Sequence, residues 1–201
     1  MMETAGEGSG RCRCVASLEG HGDRVWSVAW SPSGSLLASA GGDRTVRLWT
    51  CAADGVWGTA PTEVLEGAHQ RTVRRCAFSR CGTMIAAVSF DATASVWDSR
   101  FESEWDLLVT LEGHESEVKD AAWSYDNALL ATCGRDKTIW VWVKEIDDQF
   151  ECLDVLQGHT QDVKAIAWIP PAANVSGRTL VSAGYDNTIR VWSEVSDEWI
   201  W

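Results

Sequence analysis

Two hundred and one residues, 45% apolar and 23% charged, suffice for one or two domains with a sizeable core. Asp and Glu number 29 against 17 Lys and Arg, a net charge of −12 that speaks against binding duplex nucleic acid or an anionic membrane. No apolar run approaches the ~20 residues of a spanning helix.

The first ten residues are acidic and Gly-rich, with no apolar core of a signal peptide. They are expected to form a flexible tail ahead of a domain covering 11–201. Cys12 and Cys14 are the only closely spaced pair among seven cysteines. A metal site would need further ligands nearby, and none is present, so no metal is expected. An odd cysteine count without a secretion signal reads as reduced thiols of a cytosolic or nuclear protein.

The thirteen tryptophans recur with a period. Four segments align: 18–49, 65–97, 111–142 and 156–192, each opening on Leu and closing on Trp. A period of about 45–50 residues marks a solenoid, propeller or array. Each copy starts with a Gly-His turn (Gly-Ala-His in the second), carrying His21, His69, His114 or His159. Four residues later comes an apolar Val: Val25, Val73, Val118 or Val163. Alternation as in Val25–Trp30 follows, the period of a half-buried strand. A turn such as Ser31-Pro32-Ser33-Gly34 leads into a second apolar run, Leu36–Ala40 in the first copy. A tight turn then carries Asp43, Asp91, Asp136 or Asp186, and a third strand ends on Trp49, Trp97, Trp142 or Trp192. A further short strand is expected before each His, as in Leu107–Leu111 and Cys152–Leu156. Four strands per copy and no helical periodicity predict an all-β chain.

These residues resemble the WD40 β-propeller family. The resemblance implies about four four-stranded antiparallel blades, with 199–201 opening a fifth repeat: a partial propeller against the family's seven blades. It also implies a buried network in each blade. The sets are His21, Ser39, Asp43 and Trp49; His114, Thr132, Asp136 and Trp142; and His159, Ser182, Asp186 and Trp192. In the second copy His69, Asp91 and Trp97 match, but Ala87 stands at the hydroxyl position, so that network is expected to be incomplete. The fourth copy carries an insertion, 169–177. A His-Asp pair invites a catalytic reading. Its recurrence at fixed spacing in every copy makes it structural, and neither catalytic residues nor a cofactor are expected.

Further blocks are more specific: 70–74, Ser89-Phe90-Asp91-Ala92-Thr93, 130–137, 159–164 and the acidic connector 147–152. They resemble the WD40 subunits of the cytosolic iron–sulfur protein assembly targeting complex. The resemblance implies a non-catalytic adaptor, mainly cytoplasmic. Its implied partners are a small acidic assembly factor, a HEAT-repeat protein and apo-proteins awaiting an iron–sulfur cluster. A receptor or scaffold of a ubiquitin ligase or chromatin assembly is the alternative, because propellers host many functions.

Two positions per copy are expected at the mouth of the channel. The residue after the apolar Val gives Trp26, Arg74, Lys119 and Lys164. The residue before the turn Asp gives Gly42, Phe90, Arg135 and Tyr185. On a chain of net charge −12 this set is cationic and aromatic. It suits an acidic peptide with an apolar or aromatic anchor. The opposing reading pairs Lys119 with Glu117 and Lys164 with Asp162 as ordinary rim charges. Connectors after the closing Trp residues are acidic (Glu102, Glu104 and Asp106; Glu145, Asp147, Asp148 and Glu151; Glu194, Asp197 and Glu198) and read as a solvated rim. An open arc leaves two blade flanks unpaired, through which chains could self-associate.

Overall fold

A computed structural model describes residues 13–52, 55–99, 104–145, 148–170, 177–195 and 198–200. The expected tail, Cys12, Glu102, Asp147, most of the insertion, Asp197 and Trp201 lie outside the described residues.

Sixteen strands run in chain order, and no helix occurs among the described residues. The first sheet holds β1 (Val25–Trp30), β2 (Leu36–Gly41), β3 (Val46–Thr50) and β4 (Glu63–Leu65). The second holds β5 (Val73–Phe78), β6 (Met84–Ser89), β7 (Thr93–Asp98) and β8 (Asp106–Glu112). The third holds β9 (Val118–Trp123), β10 (Leu129–Gly134), β11 (Thr138–Lys144) and β12 (Phe150–Gln157). The fourth holds β13 (Val163–Trp168), β14 (Thr179–Gly184), β15 (Ile189–Val195) and β16 (Glu198–Ile200). Each is an antiparallel meander of four strands in sequence order. The outer strand of a sheet is the strand that opens the next sequence copy. Accordingly, Glu198–Ile200 pairs with β15 and completes the fourth sheet.

The sheets pack side by side through their first strands, β1 on β5, β5 on β9 and β9 on β13. Three apolar cores fill the three junctions. One row of each core comes from the first strand of the following blade, as with Val73 and Cys76, or Val163 and Ile166. The facing row comes from the second and third strands of the preceding blade, as with Ala40, Val46 and Leu48. Indoles tie the junctions as well: Trp123 Nε1 donates to the Ala77 carbonyl at 3.1 Å, and Trp168 Nε1 to Ala122 at 2.9 Å.

The arc is not closed, and its two end flanks are apolar. Val25 matches the fully buried Val73, Val118 and Val163, yet it is 52% exposed, with no sheet among the described residues packed on that flank. Val28 and Trp30 share that flank and are also exposed, Trp30 resting on Trp57. At the other end Ile189 and Val191 are exposed, whereas their counterparts Ile139 and Val141 are fully buried.

Asp120 stitches three blades. It is 4% exposed, and its Oδ1 meets Arg75 of the second blade at 2.6 Å. The same oxygen accepts the Ala121 N–H, while Oδ2 accepts the Ile166 N–H of the fourth blade at 3.0 Å. Burial dominates and pushes its carboxyl above the usual range, with Arg75 acting against that shift.

Candidate interaction face

Each turn Asp is the anchor of its blade. In the first blade Asp43 accepts from the Gly22 N–H at 2.9 Å, from the Thr45 hydroxyl at 2.9 Å and from His21 Nδ1 at 2.9 Å. A carboxylate only accepts, so Nδ1 donates and Nε2 faces the Ser39 hydroxyl at 2.7 Å. That hydroxyl also accepts the Trp49 indole N–H at 2.8 Å. The same run joins Trp142, Thr132, His114 and Asp136, and Trp192, Ser182, His159 and Asp186. Burial works against charge on Asp43, but the Gly22 N–H, His21 and Thr45 outweigh it and bring the carboxyl down to about 2. Asp91, Asp136 and Asp186 are likewise held below the usual range against their burial, by their His, Thr and backbone donors. Bound this way, the carboxylate lets the next residue adopt a left-handed backbone: Arg44, Ala92, Lys137 and Asn187 have φ of 70°, 73°, 72° and 62°.

The connectivity of hydroxyl, imidazole and carboxylate is that of a hydrolase triad. Its chemistry differs. Ser39, Thr132 and Ser182 are 4%, 0% and 1% exposed, and each hydroxyl is engaged by both an indole and an imidazole. Held this way, the networks act as struts within each blade.

The second network is complete, which corrects the expectation. Ser95, from the third strand, supplies the missing hydroxyl. His69 Nε2 meets it at 2.9 Å, and the Trp97 indole donates to it at 2.9 Å. A neighbouring change goes with this. Gly41, Gly134 and Gly184 lie under the imidazoles of the other blades, and Ser89 takes their place here. A Cβ at those glycines would stand 2.5, 3.2 and 2.7 Å from the imidazole Nδ1. In the second blade, where that Cβ exists, His69 stands 3.3 Å from Asp91, against 2.9, 2.7 and 2.8 Å elsewhere.

The struts fix the rim. The residue before each turn Asp donates its N–H to the carbonyl of the loop leading into the blade's first strand. The pairs are Gly42 to Arg24, Phe90 to Thr72, Arg135 to Glu117 and Tyr185 to Asp162, all at 2.8–3.0 Å. The other rim position is a β-bulge. In every blade the ladder between first and second strands skips one residue: Trp26, Arg74, Lys119 and Lys164 in turn. A bulge re-aims the extra side chain, here toward the rim.

The two sets meet. The Arg74 guanidinium lies 5.3 Å from the centre of the Trp26 ring and donates to the Trp26 carbonyl at 3.3 Å. Trp26 and Phe90 have ring centres 6.5 Å apart. The Lys119 ammonium sits 4.1 Å over Phe90 and 2.5 Å from Glu117. Arg135 approaches the same Glu117 at 3.7 Å and is 59% exposed. Lys164 sits 4.1 Å over Tyr185, with Asp162 at 3.9 Å, as a pair of its own on the fourth blade. Both rim pairings weighed from the sequence, Lys119 with Glu117 and Lys164 with Asp162, are therefore present alongside the aromatic contacts. Gly42 adds no side chain to the face. Arg71 escaped the sequence reading: it donates to the Phe90 carbonyl at 2.6 Å and to Glu117 at 3.2 Å. The signal was an Arg where the other copies carry Asp23, Ser116 and Gln161.

The chain matches the family described as "WD domain, G-beta repeat" at residues 12–50, 60–98, 105–143 and 150–193. It belongs to the WD40 repeat family. Among WD40 proteins it is 46% identical over 106 residues to "Protein CIA1" of Arabidopsis thaliana, covering 49% of this chain and 30% of that protein. It is 44% identical over 103 residues to "Probable cytosolic iron-sulfur protein assembly protein Ciao1" of Culex quinquefasciatus, covering 51% and 30%. A fungal relative from Mycosarcoma maydis, "Probable cytosolic iron-sulfur protein assembly protein 1", is 39% identical over 140 residues, covering 50% and 31%. The match thus spans under a third of each relative's length.

Proposed function

We propose that this WD40 chain is a non-catalytic adaptor of cytosolic iron–sulfur protein assembly. In this reading its rim helps recruit apo-proteins for cluster insertion, beside a small acidic assembly factor and a HEAT-repeat partner in the cytoplasm. The similarity to relatives named for that process supports the pathway. One observation carries the binding role: a run of cations and aromatic rings, with Trp26 and Arg135 exposed and Arg74, Phe90 and Lys119 half-buried, on a chain of net charge −12. Trp and Arg are enriched at binding hot spots, and a cation beside a ring suits an acidic peptide bearing an apolar or aromatic anchor.

The test is Arg135→Glu. Arg135 is mostly exposed and holds only a long contact to Glu117, so the melting temperature should stay within a few degrees. Binding of a purified iron–sulfur apo-protein, or of a labelled peptide with one aspartate and one tryptophan, should weaken about tenfold or more. Unchanged binding with intact folding removes this face from the proposal.

A further inference from the structure

Resting on that reading of the rim, we infer that Glu117 is its specificity-determining residue: an internal carboxylate that leaves a seat for one ligand carboxylate between Arg71 and Arg135. Glu117 lies at the junction of the second and third blades, with its side chain 18% exposed. Its Oε1 accepts from Arg71 at 3.2 Å, and its Oε2 faces Lys119 at 2.5 Å and Arg135 at 3.7 Å. The three cations are not equivalent. Lys119 is 10% exposed and is held between this carboxylate and the face of Phe90. Arg71 and Arg135 are 57% and 59% exposed. Each guanidinium has five N–H donors in a planar fork. Arg71 spends two of its nitrogens on Phe90 and Glu117, and Arg135 makes one long contact. Donors therefore remain on both sides of Glu117, facing solvent.

Two consequences follow from that geometry. Glu117 cancels the charge of Lys119 and draws the two arginines toward one point, so an incoming carboxylate bridges them without first collecting mobile side chains. The Phe90 ring, beneath Lys119 and beside Trp26, is the apolar wall next to that seat. Glu117 also repels. A ligand with a second acid close to the first meets like-charge repulsion from the Glu117 carboxylate. The seat thus favours a single acid beside a ring over a run of acids.

The experiment measures the 201-residue chain by fluorescence anisotropy against two labelled peptides, one with one aspartate and one tryptophan, the other with two aspartates and one tryptophan. Glu117→Gln keeps the shape and an acceptor oxygen while removing the charge. It should bind the two-aspartate peptide roughly five- to tenfold tighter and gain clearly less for the one-aspartate peptide. Arg71→Gln, at an exposed site that does not threaten folding, should weaken both peptides. Equal or weaker binding of the two-aspartate peptide to Glu117→Gln overturns the inference, as does unchanged binding by Arg71→Gln. Arg135→Glu separates the levels. If it abolishes binding while Glu117→Gln gains nothing, the rim stands and the role of Glu117 falls. If neither the native chain nor any variant binds, both fall.

Discussion

Ser95 stands directly across the ladder from Ala87, and its hydroxyl does for the second blade what Ser39, Thr132 and Ser182 do for the others. The hydroxyl has crossed from the second strand to the third while keeping both of its partners. Replacing Ser95 with Ala would leave a buried imidazole nitrogen and a buried indole N–H without a partner, costing about 2–4 kcal/mol. Urea unfolding should show that loss. Returning the hydroxyl to its usual strand, as Ala87→Ser with Ser95→Ala, should recover part of it. Adding Ser89→Gly should recover more, by restoring the space under His69. A loss below about 0.5 kcal/mol for Ser95→Ala would mean the bond contributes nothing net.

Asp120 is the second point where one change should be felt across several blades. Asp120→Ala strands the buried N–H groups of Ala121 and Ile166 and releases Arg75. The expected cost is about 2–4 kcal/mol, nearly all of it from those two amides, because Arg75 is half exposed and can turn to water. Arg75→Ala should therefore cost clearly less than Asp120→Ala in the same denaturation series. Equal losses would assign the energy to the ion pair instead.

The turn aspartates set the acid limit. Asp43, Asp91, Asp136 and Asp186 all have folded values below the ordinary carboxylate range, Asp43 at about 2. A group depressed on folding contributes stability above its unfolded value, near 3.9, and loses it as pH falls through the folded value. The urea midpoint should stay flat from pH 7 to about 5 and fall between about 5 and 2. Asp120, raised by burial, runs the other way, but it is one group against four. Asp43→Asn should flatten part of the acid slope. A midpoint that holds steady to about pH 3 would contradict this account.

Equivalent positions should respond in opposite ways on open and packed flanks. Val28 is 65% exposed, whereas its counterparts Cys76 and Ile166 are 2% and 7% exposed. Val28→Asp should change stability by less than about 0.5 kcal/mol, while Ile166→Asp should prevent folding. The flank carrying Val28 and Trp30 offers the kind of row that Ile189 and Val191 of another copy could cover. Light scattering should therefore show concentration-dependent association of the native chain that Val28→Asp reduces. Association unaffected by Val28→Asp places the contact elsewhere.

The repeat, the strand order and, to within a residue or two, the limits of the few strands named from the sequence could be read from spacing alone, because turn residues and period-two alternation recur in register. β1 begins and ends at Val25 and Trp30, as the alternation implies. What escaped were effects of packing between copies. Val25 looks like Val73 in sequence, and the difference in burial comes from packing: a described sheet covers Val73 and none covers Val25. Ser95 is invisible as a strut because its position holds Arg47, Trp140 and Arg190 in the other copies. The bulge that carries Arg74 and Lys119 widens the apolar spacing from two residues to three, Val73 to Cys76 and Val118 to Ala121, a break that a reading of plain alternation passes over. Arg71 and Glu117 lie on different copies, and only the junction brings them together.

The strand that opens one sequence copy seals the sheet made by the copy before it, as β8 does for the second sheet and β12 for the third. The unit of duplication is therefore out of phase with the unit of packing. Deleting or adding one copy of about 45 residues would change the number of sheets by one, but the cut would fall inside a sheet and not between two. It would hand an existing sheet a foreign outer strand. Unequal crossing-over within such a gene is tolerated only while those strands remain interchangeable. In this chain the paired residues Leu111 and Ala94, and Leu156 and Ile139, keep that exchange open at the inner end of the ladder.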